Sequence, residues 1–305
     1  AQIVFQKDPA LGNVGFKAKF SAGETAKWIH SRGLSGAPLD QPQAGEGTDT
    51  FDVTEAYVSY LAPLGKGLRF DYGKFVTYNG AEVIEAIDNP NYSRSFLFNY
   101  AIPFTHTGLK MSYTFSEAVS ASFHIVNGWD NSTDNNAAKT YGLSIGYTPI
   151  EAISTTFNFM QGPEQDNNNS NQRFLFDWVG IIKPAKKLTF TLNTDYGREQ
   201  NAAPTGGAAT WNGVAGYVTY DFTDKYSLTV RGEYFDDQNG ARTTVNGVAG
   251  IPQRLKEVTV TPQIKLAQNL LLRPEYRHDD SNKDAFDAGT KKSQNTIALG
   301  VMYTW

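Results

Sequence analysis

Leu109-Lys110-Met111-Ser112-Tyr113-Thr114-Phe115-Ser116-Glu117-Ala118-Val119-Ser120-Ala121-Ser122-Phe123-His124-Ile125 decides the fold. Leu109, Met111, Tyr113 and Phe115 alternate with Lys110, Ser112 and Thr114; after a short turn, Val119, Ala121, Phe123 and Ile125 alternate with Ser120, Ser122 and His124. A period of two sends successive side chains to opposite faces, so each half is a strand with one apolar and one polar face. Ser116-Glu117 is long enough only for a tight reversal. Directly afterwards the chain enters 127–138, a long stretch rich in Asn, Asp and Ser.

That order of strand, short turn, strand, long loop repeats through all 305 residues. The same alternation gives strands near 1–7, 14–22, 51–61, 68–77, 108–115, 119–126, 139–148, 153–161, 172–182, 188–197, 211–222, 226–235, 254–266, 270–278 and 296–305. Short turns stand at Pro63-Leu64-Gly65-Lys66, Thr148-Pro149-Ile150-Glu151, Lys183-Pro184-Ala185-Lys186, Thr223-Asp224-Lys225 and Ala267-Gln268-Asn269. Long loops fall at 23–50, 78–93, 127–138, 162–171, 199–209, 236–252 and 279–294. A soluble sandwich has no reason to gather its long loops at one end. An up-and-down antiparallel transmembrane β-barrel has one, with tight turns at the periplasmic rim and large loops outside. The fold class expected is therefore all-β, one barrel domain over 1–305. Fifteen strands are read, and such barrels have even counts, so about sixteen are expected. The missing strand either precedes Ala1 or hides in 92–107.

Composition narrows the function. There is no cysteine, which removes disulfides, thiolate metal sites and a cysteine nucleophile. With 27 Lys+Arg against 31 Asp+Glu and no basic block, there is no electrostatic footprint for nucleic acid. No apolar run reaches transmembrane-helix length, which leaves a strand-built wall open. His30, His106, His124 and His278 lack metal-ligand spacing, and no carboxylate partner for His124 is evident, so no catalytic residue, metal or cofactor is assigned. Asp130-Asn131-Ser132-Thr133-Asp134 has a calcium-loop flavour but lacks the turn glycine and the closing Glu, and reads as an exposed polar loop.

The outward face is aromatic near the strand ends, at Tyr60, Tyr72, Phe115, Tyr147, Tyr220, Phe222 and Tyr303 among others, as expected where rings sit at headgroup level. The opposite face carries charges of both signs. A water-filled lumen tolerates them where a dry core would not. Arg69, Asp71, Arg173, Asp177, Arg231 and Glu233 are the candidate wall charges, joined by Arg94 and His106 if the non-alternating segment 92–107 folds inward and narrows the lumen; a bulged strand is the alternative for that segment.

Asn89-Pro90-Asn91-Tyr92-Ser93-Arg94-Ser95-Phe96-Leu97-Phe98-Asn99-Tyr100-Ala101-Ile102-Pro103-Phe104-Thr105-His106-Thr107-Gly108, with Phe70-Asp71-Tyr72-Gly73-Lys74-Phe75 and Asn127-Gly128-Trp129-Asp130-Asn131, resembles the beta-barrel porin-2 family, the OmpL-like outer-membrane porins. The resemblance covers most of the chain. It implies a pore in the bacterial outer membrane, with a further strand and loop before the stretch similar to Ala1–Pro9. Val301, Tyr303 and Trp305 resemble the carboxy-terminal signal read by the barrel assembly machinery, although Phe is commoner than Trp at the last position.

The expected function is passive diffusion of small hydrophilic solutes or ions. A barrel scaffold, acting as adhesin, receptor or sheath for an electron-transfer partner, is the alternative. Expected partners are outer-membrane lipid and lipopolysaccharide, the assembly machinery and the solutes; a homotrimer is left open.

Overall fold

The computed structural model describes residues 1–33, 50–245 and 247–305. Of the long loop read at 23–50, residues 34–49 lie outside the described residues, as does Asn246 in 236–252. The strands are β1 (Gln2–Lys7), β2 (Val14–Ala22), β3 (Phe51–Ala62), β4 (Leu68–Val76), β5 (Thr105–Thr114), β6 (Val119–Val126), β7 (Thr140–Ile150), β8 (Ile153–Pro163), β9 (Gln172–Ala185), β10 (Leu188–Glu199), β11 (Ala209–Asp221), β12 (Tyr226–Asp237), β13 (Thr244–Val245), β14 (Val248–Ala249), β15 (Gln253–Ala267), β16 (Leu270–Ser281) and β17 (Ser293–Tyr303). Fifteen join one sheet in chain order, and β13 pairs with β14 alone.

Each strand read from alternation is present. The hairpin that opened the reading pairs Leu109 with Ile125, Met111 with Phe123 and Tyr113 with Ala121. Its turn closes when the Phe115 amide donates to the Val119 carbonyl at 2.9 Å. In the β3–β4 turn, Gly65 sits at φ 59°, a left-handed backbone open to glycine without strain.

Segment 92–107 corrects the reading. It is neither a bulged strand nor a sixteenth strand: Leu97–Ala101 forms a π-helical turn, and only its last residues join β5.

Two compact units divide the chain, their bounds cutting across β8 and β9. The first comprises Ala1–Asn79, Pro103–Thr148 and Phe157–Phe174. On the polar face of its strands lies α1 (Glu24–Ile29) with the residues that follow it. His30 Nδ1 stands 3.3 Å from an Asp52 oxygen, Lys74 Nζ 3.2 Å from the same atom, and Ser31 Oγ 2.7 Å from Thr105 Oγ1. The second unit comprises Gly80–Ile102, Pro149–Thr156 and Leu175–Trp305. Here Gly80–Ile102 lies against the polar face of its own strands.

Candidate functional site

Gly80–Ile102 has little regular structure, so its backbone donors and acceptors need partners from elsewhere. Part of the answer is internal. The Asn89 side chain accepts from the Val83 amide at 2.9 Å and donates to the Val83 and Glu85 carbonyls at 2.7 and 2.8 Å, closing a small loop on itself. Ser95 Oγ accepts from the Phe98 amide at 3.0 Å where the π turn begins.

Most of the rest comes from charged side chains on the strands and in the loop after β12, sorted by sign. Carboxylates take the amides: Glu233 accepts from Phe96 and Leu97, both at 2.6 Å. Glu275 accepts from Tyr92 and Ser93 at 2.7 and 3.0 Å, and Asp177 from Gly80 at 3.0 Å. Guanidiniums take the carbonyls: Arg273 donates to Ala86 and Ile87 at 2.5 and 2.9 Å, Arg277 to Arg94 at 2.7 Å, and Arg242 to Tyr100 at 2.7 Å. Charge-assisted bonds are shorter and stronger than neutral ones, so the segment is fixed without a ladder of its own.

Arg231 stands at the centre. Its side chain is fully buried, with Nη1 2.7 Å from Glu82 and Nε 2.5 Å from Glu257. Nη1 also donates to the Ser93 carbonyl at 2.9 Å, and Glu82 in turn accepts from the Ser95 amide at 2.8 Å. Glycines on the wall make room for the segment. A Cβ on Gly213 would lie 2.5 Å from Leu97 Cδ2, and one on Gly300 2.6 Å from Tyr92 Cδ2.

Asp177, Arg231 and Glu233 are thus on the predicted polar face, but the expectation that they meet water in an open lumen is corrected. Each is buried beneath the segment it anchors. Arg94 lies on that segment, its guanidinium donating to the Ile84 carbonyl at 2.6 Å and standing 5.5 Å from the Phe98 ring centre. Sequence reading missed Glu82, because a charge in a long loop carries no signal of its own.

In the first unit, His106 is also buried and belongs to β5. Its Nε2 lies 3.0 Å from Thr77 Oγ1 and its Nδ1 3.0 Å from the Gly128 carbonyl. His124 is buried too: Nε2 meets Ser122 Oγ at 2.8 Å and the ring stacks on Tyr78 at 3.8 Å. Asp130 is likewise no exposed loop residue, since one of its oxygens accepts from the Phe104 and Thr105 amides, both at 2.8 Å. Arg173 covers the Trp129 ring at 4.7 Å. No cluster suited to a metal ion exists among the described residues.

Arg69 and Asp71 belong to a different arrangement, on β2 to β5. Lys17 and Lys19 share one oxygen of Glu55, both at 2.7 Å. Arg69 Nε and Lys110 Nζ hold the two oxygens of Asp71 at 2.8 and 3.1 Å. Each carboxylate therefore serves two cations. On β17, Val301 and Tyr303 are exposed together with Leu299 and Ile297, the predicted outer face, and Trp305 beyond the strand end is exposed with them.

Solved structures share this fold at low identity. The anion-selective porin from Comamonas acidovorans superposes with a TM-score of 0.67 at 11% identity, over 99% of this chain and 88% of that one. Salmonella typhi OmpF, in complex with daunomycin, gives 0.65 at 13% identity over 99% and 89%. The trimer form of Vibrio cholerae OmpT, an outer membrane protein folded in vitro, gives 0.57 at 14% over 100% and 96%. No curated protein matches the sequence. The family described as "Putative beta-barrel porin-2, OmpL-like" matches residues 1–305 without a break, and the chain belongs to that family of outer-membrane β-barrel porins.

Proposed function

We propose that this porin passes small hydrophilic solutes by passive diffusion and that Gly80–Ile102 sets its aperture. The observation that carries the reading is the sorted anchoring of the segment, with carboxylates on its amides and guanidiniums on its carbonyls. An immobile constriction filters by size, and fixed charges beside it act on ions without reorganising. In this reading Asp177, Arg231 and Glu233 position the segment, Arg94 rides on it, and Arg69, Asp71, Arg173 and His106 belong to the wall. One domain over 1–305 is supported by the unbroken family match. A non-enzymatic role is in keeping with the porin family. Lipopolysaccharide around the wall, the assembly machinery at Val301, Tyr303 and Trp305, and a homotrimer such as the OmpT trimer form complete the proposal.

Single-channel recording of the full-length protein in a planar bilayer tests it. Steady ohmic openings are expected; persistent silence from protein that still shows heat-modifiable migration overturns it and favours a scaffolding barrel.

Membrane insertion gives a further expected result. Val230 is exposed and lies in register with Val218 and Val260. It stands four residues from Tyr226 at the turn end of β12. At about 3.3 Å per residue and a tilt of about 40°, that is roughly 10 Å along the normal, near the middle of an apolar band about 25 Å tall. Val230→Arg is expected to cost about 2–4 kcal/mol in urea unfolding from lipid vesicles. A change under a few tenths would place this face away from lipid.

A further inference from the structure

The two cation-carboxylate-cation groups on β2 to β5 have a consequence for which solutes the porin prefers. Lys17-Glu55-Lys19 and Arg69-Asp71-Lys110 each hold two positive charges on one negative. The surplus is not hidden. The Glu55 and Asp71 side chains are 3% and 1% exposed, whereas Lys17, Arg69 and Lys110 are 21%, 31% and 25% exposed. A solute at this wall therefore meets cations, with the balancing charge behind them.

The cations also keep donors in hand. Lys17 and Lys110 each use one ammonium proton on a carboxylate, and an ammonium has three. Arg69 spends Nε on Asp71 and Nη2 on Ser59 Oγ at 3.1 Å, out of five N–H groups. Its Nη1 stands 3.9 Å from exposed Asp8, a weak and solvated contact.

Tyr57 stands in the same patch. It is directly opposite Lys17 on one side and Gly73 on the other. Beyond Gly73, which has no side chain to intervene, the Lys110 ammonium lies 5.7 Å from the Tyr57 ring centre and 5.1 Å from that of Phe75. Two ring faces and one carboxylate thus hold Lys110 in place.

We propose that Lys17, Arg69 and Lys110, with the Tyr57 hydroxyl, form a docking station for small oxyanions of the phosphate class, and that the channel favours anions because of it. This rests on the porin reading. A tetrahedral oxyanion with several acceptor oxygens suits donors spread over the four strands β2 to β5, because it accepts from several of them at once and neutralises the surplus charge.

The test is recording of the full-length protein in bilayers under a KCl gradient, with inorganic phosphate then titrated in. The reversal potential is expected on the chloride side, and phosphate is expected to reduce the chloride current in a saturating way. Lys17→Gln with Lys110→Gln should raise the half-saturating phosphate concentration by about 5-fold per charge removed, the effect of a unit charge near 4 Å in water. Arg69→Gln alone should give one such step, and Lys225→Gln, in an exposed turn, none. Wild-type current indifferent to phosphate, or variants that open normally with unchanged half-saturation and reversal potential, overturns the station while leaving the porin intact. Absence of any opening overturns the porin reading and the station with it.

Discussion

Arg231→Met is expected to lower the unfolding free energy by about 3–5 kcal/mol, the usual consequence of removing one member of a buried charged group. The mutation strands Glu82 and Glu257, whose side chains are 2% and 0% exposed. Arg277 Nε, 3.9 Å from Glu257, softens the loss there, so the uncompensated charge falls mainly on Glu82. The Ser93 carbonyl also loses its donor. Urea unfolding in lipid or detergent micelles should show the shift, and the heat-modifiable band should convert at lower temperature. In bilayers the loosened segment should give larger and noisier openings. Adding Glu82→Gln and Glu257→Gln should recover most of the stability, because replacing a whole buried ionic group is often close to neutral. An Arg231→Met protein that unfolds with the wild type would mean that the segment is held by something else.

Trp211→Ala is expected to cost a comparable amount, about 3–5 kcal/mol. Trp211 is fully buried on β11, and its ring fills the place that a side chain at Gly197 would need, since a Cβ there would come within 1.9 Å of it. Nε1 donates to the Ala101 carbonyl at 3.1 Å, and Arg242 covers the ring at 5.3 Å. Truncation opens a void, removes the donor for the end of the π turn and takes away the ring beneath the Arg242 guanidinium. Trp211→Phe should fall between, keeping most of the packing while losing the bond, for which about 1 kcal/mol is typical. Equilibrium unfolding followed by far-ultraviolet circular dichroism compares the three proteins. If Ala and Phe behave alike, packing at this site is not what holds the turn.

The strands were legible because alternation and turn residues are local signals. Val119 to Ile125 declares its two faces without reference to any other part of the chain. Alternation also sorted Arg231, Glu233 and Asp177 onto the charged face. It gave no hint of what covers that face, so residues sealed beneath another segment looked like residues in water. The segment itself was opaque for the complementary reason. Tyr92 to Ala101 has no periodicity, because its shape is imposed by Glu233, Glu275 and Trp211. Its non-alternation signalled an exception, and the resemblance named a pore, but neither located the anchors. The buried state of His106 and His124 was hidden likewise, since Tyr78 and Gly128 reach them from two separate loops.

The anchoring also sets an order of events in assembly. Phe96 finds Glu233 137 residues away in sequence, and Tyr92 finds Glu275 183 residues away. Contacts of such separation form only after the chain between them is in place. An intermediate without β12 and β16 has no acceptor for these amides and no donor for the Ala86 and Ile87 carbonyls, so the middle of Gly80–Ile102 lacks its wall anchors. Gly80–Ile102 therefore takes its final shape only once β12 and β16 are in place. Fixing of the segment and arrival of β12 and β16 become a single step, and a stalled intermediate is recognisable by protease cleavage within Gly80–Ile102.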